Sequence, residues 1–125
     1  AEASVDTADR LGLSTIVAFT ESGTTARLLS KYRSRASVYA FTPIVETYRK
    51  MAVYGGVRPM LLDRVFSTDD MIASAERRLL EEGLVEHGEG VVMVAGVPPN
   101  QRSSTNLMKL HEIGSGDVLY PTSSR

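Results

Sequence analysis

Strand-length apolar runs alternating with amphipathic helical stretches predict an α/β fold. The expected form is a three-layer α/β/α sandwich around a five-stranded mixed sheet, four strands parallel and the last antiparallel. Three observations carry this expectation. Four apolar runs, at residues 14–19, 38–41, 57–62 and 91–95, are each separated by a segment with helical spacing. A fifth run, residues 105–113, follows the fourth too closely for a crossover helix and is expected to return antiparallel through a long hairpin. With 125 residues, 42% of them hydrophobic, the chain can build one core but not two.

Residues 1–11 place Val5, Ala8 and Leu11 at three-residue steps, with Gly12 where a helix end favours glycine, so a helix is expected. Its abrupt start suggests a piece excised from something larger. Residues 14–19 (Ser-Thr-Ile-Val-Ala-Phe) are β-branched and apolar, suiting a buried parallel strand. A helix over residues 24–32 follows, with Ala26, Leu28, Leu29 and Tyr32 on one face. Lys31, Arg33 and Arg35 then suit its C-terminal end. Residues 38–41 form the second strand. Thr42 is expected to cap a helix that has Pro43 in its first position and runs to Tyr54, before Gly55-Gly56 ends it.

The third strand, residues 57–62, carries Pro59, which suits a strand start or a sheet edge. Ser67-Thr68-Asp69-Asp70 is a capping signature for a helix with Met71, Ile72, Ala75 and Leu79 on its buried face. Glu76, Arg77, Arg78, Glu81 and Glu82 are read as its solvated face. Gly83 stops that helix, and residues 91–95 (Val-Val-Met-Val-Ala) are expected to be the most buried strand. One domain over residues 1–114 and a frayed tail over residues 115–125 follow.

Composition narrows the function classes. Fourteen basic and fifteen acidic residues give a net charge of -1 with no block of like charge, so neither nucleic acid nor an anionic membrane surface is an implied partner. Cysteine is absent, which removes disulfides, thiolate metal ligands and thiol nucleophiles. No apolar run approaches the roughly 20 residues of a membrane-spanning helix, and a soluble cytoplasmic protein is expected.

The chemistry-bearing stretch is the turn between the first strand and the next helix: Thr20, Glu21, Ser22, Gly23, Thr24 and Thr25. Hydroxyl donors and a flexible glycine at a helix start are what an anion site needs, since the first N–H groups of a helix are free and its dipole favours negative charge. The plainer account is that Ser22 or Gly23 merely caps the helix. Glu21 would repel a phosphate, so its side chain is expected to turn away from the cradle. Ser22 as a hydrolase nucleophile lacks the leading glycine of the nucleophile elbow. A single glycine in the turn does not make a dinucleotide fingerprint, and no Walker lysine is present. His87 and His111 each lack a second ligand at helical spacing and are read as surface or hairpin histidines, with no metal. A second polar loop, Pro98, Pro99, Asn100, Gln101, Arg102, Ser103, Ser104 and Thr105, opens at the C-terminal end of the fourth strand, where open α/β sheets place ligands.

The run Ile16-Val17-Ala18-Phe19-Thr20-Glu21-Ser22-Gly23-Thr24-Thr25-Ala26 resembles the C-terminal domain of pyruvate kinase. So do Lys31-Tyr32-Arg33, Ala40-Phe41-Thr42, Gly56-Val57-Arg58-Pro59, Gly96 and Ser104-Thr105-Asn106, and the similarity extends from residue 1 to about Gly114. The resemblance implies a regulatory domain that binds a phosphorylated effector and builds one oligomer interface, through the last strand and adjacent helices. Its phosphate loop would be Thr20 through Thr25 and its effector loop Pro98 through Thr105. The family's second-phosphate contact has no clear counterpart, because residues 63–70 diverge. The resemblance also implies that the Mg²⁺ and K⁺ of the reaction belong to a catalytic domain absent from this chain, which would leave the domain without a cofactor and catalytically silent. A freestanding domain of the same fold, with its own phosphate-ester binding or hydrolase activity, is the alternative.

Overall fold

The computed structural model describes residues 2–32, 35–65, 67–95 and 107–115. The elements run α1 (Glu2–Leu11), β1 (Thr15–Phe19), α2 (Thr24–Ser30), β2 (Ser37–Thr42), α3 (Val45–Met51), β3 (Val57–Leu61), α4 (Thr68–Glu81), β4 (Gly90–Ala95) and β5 (Leu107–Glu112). The strands form one sheet in the order β3-β2-β1-β4-β5, parallel throughout except for the β4–β5 pair. This is the expected mixed sheet, with Pro59 on an edge strand.

Side-chain alternation along the strands sorts the core into two layers. Ile16 and Ala18 join Val38, Ala40, Val92 and Val94 under α1, α2 and α3, which contribute Val5, Ala8, Ala26, Leu29 and Met51. Val17 and Phe19 face the other way, with Phe41, Met60, Val91 and Met93, under Ile72, Ala75 and Leu79 of α4. Phe19 and Phe41 stack there with ring centroids 5.9 Å apart. All five β1 residues are buried, whereas β4 is partly open at both ends. The most buried strand is therefore β1, because its place in the middle of the sheet, and not its apolar content alone, decides its burial.

Several boundaries differ from the sequence reading. The α2 helix stops at Ser30, short of Tyr32, and α3 stops at Met51, with Lys50 and Met51 carbonyls receiving the N–H groups of Val53 and Tyr54 in tight turns. Thr42 ends β2, and its hydroxyl accepts the Ile44 N–H at 3.2 Å in a local turn, so the helix cap passes to Ile44 and Pro43 lies before the helix. β3 ends at Leu61, with the Leu62 N–H still bonded to Thr42 O, and β5 begins at Leu107. At α4 the expected cap is present: Ser67 Oγ accepts from the Asp70 N–H at 3.0 Å.

Two polar side chains sit opposite to expectation. Glu76 is buried, and its Oε2 receives His111 Nε2 at 3.0 Å and the Gly114 N–H at 2.6 Å. His111 is likewise buried, on the α4 side of β5. Glu76 stands four residues after Ile72 and three before Leu79, on the apolar stripe itself, and it escapes the cost of burial by taking two donors. Gly114 has φ +84°, and a Cβ there would lie 2.5 Å from His87 Nδ1, so both backbone and neighbour require glycine. No described helix is long and apolar enough to cross a membrane.

Candidate functional site

From β1 the chain winds outward through β2 and β3 on one side, and β4 and β5 lie on the other, so the winding reverses between β1 and β4. In open α/β sheets such a reversal leaves a crevice at the carboxyl ends of the two strands. Phe19 pairs with Ala95, so the two strands end side by side and the turn at Thr20 opens onto that crevice. Residues 96–106, with the expected effector loop Pro98 through Thr105, lie outside the described residues.

The turn is built by short-range hydrogen bonds. The Thr20 N–H is held by Phe41 O at 3.0 Å, which prolongs the sheet by one residue. Thr20 Oγ1, buried, accepts the Gly23 N–H at 2.8 Å and closes the loop. The Thr24 N–H donates to Ser22 Oγ at 3.2 Å, and Ser22 Oγ donates to Thr24 Oγ1 at 2.9 Å. Gly23 takes φ 88° as the N-cap of α2 with no side-chain cap, and its carbonyl accepts the first helical bond, from Arg27, at 2.9 Å. A side chain here would pay the left-handed penalty of roughly 1–2 kcal/mol.

The N–H groups of Thr25 and Ala26 have no acceptor among the described residues. They are the donors that a helix start leaves over, the Thr24 N–H being taken by the Ser22 hydroxyl that precedes the helix. Thr25 and Ala26 are buried as whole residues, whereas Thr24 is exposed and Ser22 half-buried. The six predicted residues are thus brought together, but in different roles. Ser22 and Thr24 present hydroxyls, Gly23 shapes the turn with both its backbone groups bonded, Thr25 leaves an unaccepted N–H, and Thr20 braces the turn from beneath.

Glu21 is tied in two directions. Its carbonyl accepts the Thr47 hydroxyl at 2.6 Å, and its carboxylate takes Arg64 Nη1 at 2.6 Å from the segment after β3. The carboxylate that threatened to repel an anion is therefore matched by a guanidinium. Lys50 adds a second cation: its Cε lies 3.4 Å from where a Gly23 Cβ would stand. Sequence reasoning missed both cations, since each reaches the turn from another element. The only hint was Arg64 in the divergent stretch.

At the opposite end of the strands is a polar cleft of about 230 Å³, lined by Ser14, Thr15, Ser37, Tyr39, Glu86 and Glu89 among others. Glu89 is used structurally there, accepting from the Thr15 hydroxyl at 2.9 Å and from the Glu86 N–H at 3.1 Å. With two carboxylates and no cation in its lining, this cleft is electrostatically wrong for a phosphate.

A family model described as "Pyruvate kinase, alpha/beta domain" matches residues 1–111. The pyruvate kinase of Lactobacillus delbrueckii subsp. bulgaricus is 44% identical over 114 residues, which is 91% of this chain and 19% of that one. The Clostridium acetobutylicum pyruvate kinase is 42% identical over 103 residues, 82% of this chain and 22% of that one. Among solved structures, Cryptosporidium parvum pyruvate kinase in complex with ADP superimposes with a TM-score of 0.78 at 32% identity, covering 89% of this chain and 22% of that one. The chain spans about a fifth of the length of these relatives. Residues 1–111, and with them the sheet, its helices and the turn at Thr20, belong to the pyruvate kinase alpha/beta domain family.

Proposed function

We propose that this domain is the regulatory part of a pyruvate kinase, a cytoplasmic glycolytic phosphotransferase. It holds a phosphorylated effector on the turn at Thr20 through Thr25 and performs no phosphoryl transfer itself. The observation that carries this reading is the accessible hydroxyl pair of Ser22 and Thr24 at the start of α2, with Lys50 and Arg64 within the same rim and the unaccepted N–H groups of Thr25 and Ala26 beneath. Backbone donors at a helix start with nearby cations bind phosphate oxygens well, because each bond is charge-assisted. The stretch Pro98 through Thr105, which follows β4 in the sequence, is assigned to the same effector.

The transfer between phosphoenolpyruvate and ADP calls for Mg²⁺ and a charge clamp on the moving phosphoryl group. That machinery, with K⁺, is assigned to the remainder of such an enzyme. The domain's contribution is to bias a conformational or subunit equilibrium by its differential affinity for the effector in the two states. Self-association is assigned to β5 and the neighbouring helices, since β5 is a sheet edge on which Met108 and Leu110 are exposed.

Calorimetric titration of fructose 1,6-bisphosphate, glucose 6-phosphate, ribose 5-phosphate and AMP tests the reading. At least one should bind, and Ser22→Ala and Thr24→Ala should each weaken it by about three- to tenfold, the worth of one hydrogen bond. Unchanged affinity in both variants sinks the assignment of the turn.

A further inference from the structure

β5 is poorly anchored by burial. Met108, Lys109, Leu110 and Glu112 are all exposed, and its inward-facing positions on the α4 side alternate as Lys109, His111 and then Ile113 just past its end. A strand with little buried surface is prone to slip along its neighbour, and a slip of two residues would preserve which face points inward. Among the described residues, the directional side-chain contact on that face is made by the buried Glu76 carboxylate, which takes His111 Nε2 and the Gly114 N–H together. We infer that Glu76 is a positioning residue that pins the register of β5 and thereby fixes how many residues are left between Ala95 and Leu107, the paired ends of β4 and β5.

The argument is one of mismatched alternatives. Sliding β5 so that the intervening segment gains two residues would put Ile113 opposite Val91, where its apolar side chain would strip Glu76 of the His111 donor. Sliding it the other way would put Lys109 opposite Val91 and His111 into the site of Ile113, which is fully buried among apolar side chains. The first leaves a buried carboxylate short of a donor, and the second buries an imidazole without an acceptor. Each carries the full cost of an unmade buried hydrogen bond. Fixing register is the best-attested use of a buried polar group. The bearing of this pin on effector binding rests on the phosphate reading above; the register itself does not.

The same logic predicts slips of opposite direction in two variants. In Glu76→Leu, His111 has lost its acceptor and a slip carries it to the exposed place of Lys109 while Ile113 stays among apolar side chains opposite Val91, so β5 shifts to lengthen the segment and Val94 comes to face Leu110. In His111→Leu, residue 111 fits the apolar site of Ile113 and Lys109 can reach Glu76, so β5 shifts to shorten the segment and Val92 comes to face Met108. Because the chain has no cysteine, engineered pairs report register cleanly. In each background, pairs Val94→Cys/Met108→Cys and Val92→Cys/Leu110→Cys report the native register. Val94→Cys/Leu110→Cys reports the lengthened one and Val92→Cys/Met108→Cys the shortened one.

Cross-linking of the full chain with oxidised glutathione, without any effector, should give native pairs in the parent and in Glu76→Gln, which keeps an acceptor. The lengthened pair should exceed the native one in Glu76→Leu, and the shortened pair should exceed it in His111→Leu. If either leucine variant fails to fold, the other still decides. Native pairs alone in the folded variant, or an equal slip in Glu76→Gln, would overturn the inference. Since no ligand enters this readout, its failure is separate from any failure of the phosphate site.

Discussion

Thr20→Val isolates the brace beneath the turn that links β1 to α2. Valine keeps the shape and burial of threonine but removes the oxygen that accepts the Gly23 N–H at 2.8 Å. Thr20 is only 6% exposed and Gly23 is buried, so water cannot replace that oxygen cheaply. An unsatisfied buried donor costs roughly 1–3 kcal/mol, so a loss of about 2 kcal/mol of stability is expected. A chain of this size loses about 4 °C of Tm per kcal/mol, which puts the drop near 8 °C. Thr20→Ser, which keeps the hydroxyl and loses one buried methyl, should cost about 1 kcal/mol. Thermal unfolding followed by circular dichroism, with urea titration for the free energy, measures both. Equal midpoints for the two variants would refute the claim that this hydroxyl shapes the turn.

Glu21 and Arg64 should affect effector binding in opposite directions. Glu21→Gln removes a negative charge from the rim and should tighten a phosphorylated ligand by up to about fivefold, whereas Arg64→Ala unmasks Glu21 and should weaken it. Both effects should shrink as salt is raised from about 0.05 to 0.5 M, and calorimetry showing the same sign for both would contradict the electrostatic account. Stability should hardly change in either, since the pair is about half exposed. Gly114→Ala combines a left-handed φ of +84° with a Cβ 2.5 Å from His87 Nδ1, so a loss above about 1 kcal/mol is expected in urea titration. Adding His87→Ala should recover the steric part only, and complete recovery would show that the backbone conformation costs nothing.

What could be read from the sequence was what depends on neighbours in the chain. Ser67 caps at Asp70, and residue type and spacing were enough to find it; the hydroxyls of Thr20 and Ser22 bond N–H groups three and two residues on, a local pattern of which the sequence marked only the cluster of hydroxyls. Short continuous apolar runs rich in β-branched residues likewise told β1 and β4 apart from the helices. Lys50 and Arg64 were not legible, because they reach the turn only after α3 and the segment beyond β3 have packed beside it. Glu76 was partly legible: its position between Ile72 and Leu79 put a carboxylate on the apolar stripe, a conflict that its charged neighbours Arg77 and Arg78 concealed. Its resolution needed His111, thirty-five residues away on a strand that had been read as a hairpin edge. The capping threonine at Thr42 misled for a different reason, since the same hydroxyl chemistry serves a turn as well as a helix start.

The two borders of the sheet differ in kind. β3 presents Pro59, which has no N–H, beside a charged Arg58, whereas β5 presents an unbroken main chain with apolar Met108 and Leu110. Growth of a sheet from copy to copy needs a receptive border at each end of every copy, and here one of the two is blunted. Two copies joined along β5 would each spend their single receptive border on the other, around a two-fold axis. Such an assembly would terminate itself at the pair, so that one proline on the far side of the sheet would guard against runaway fibres.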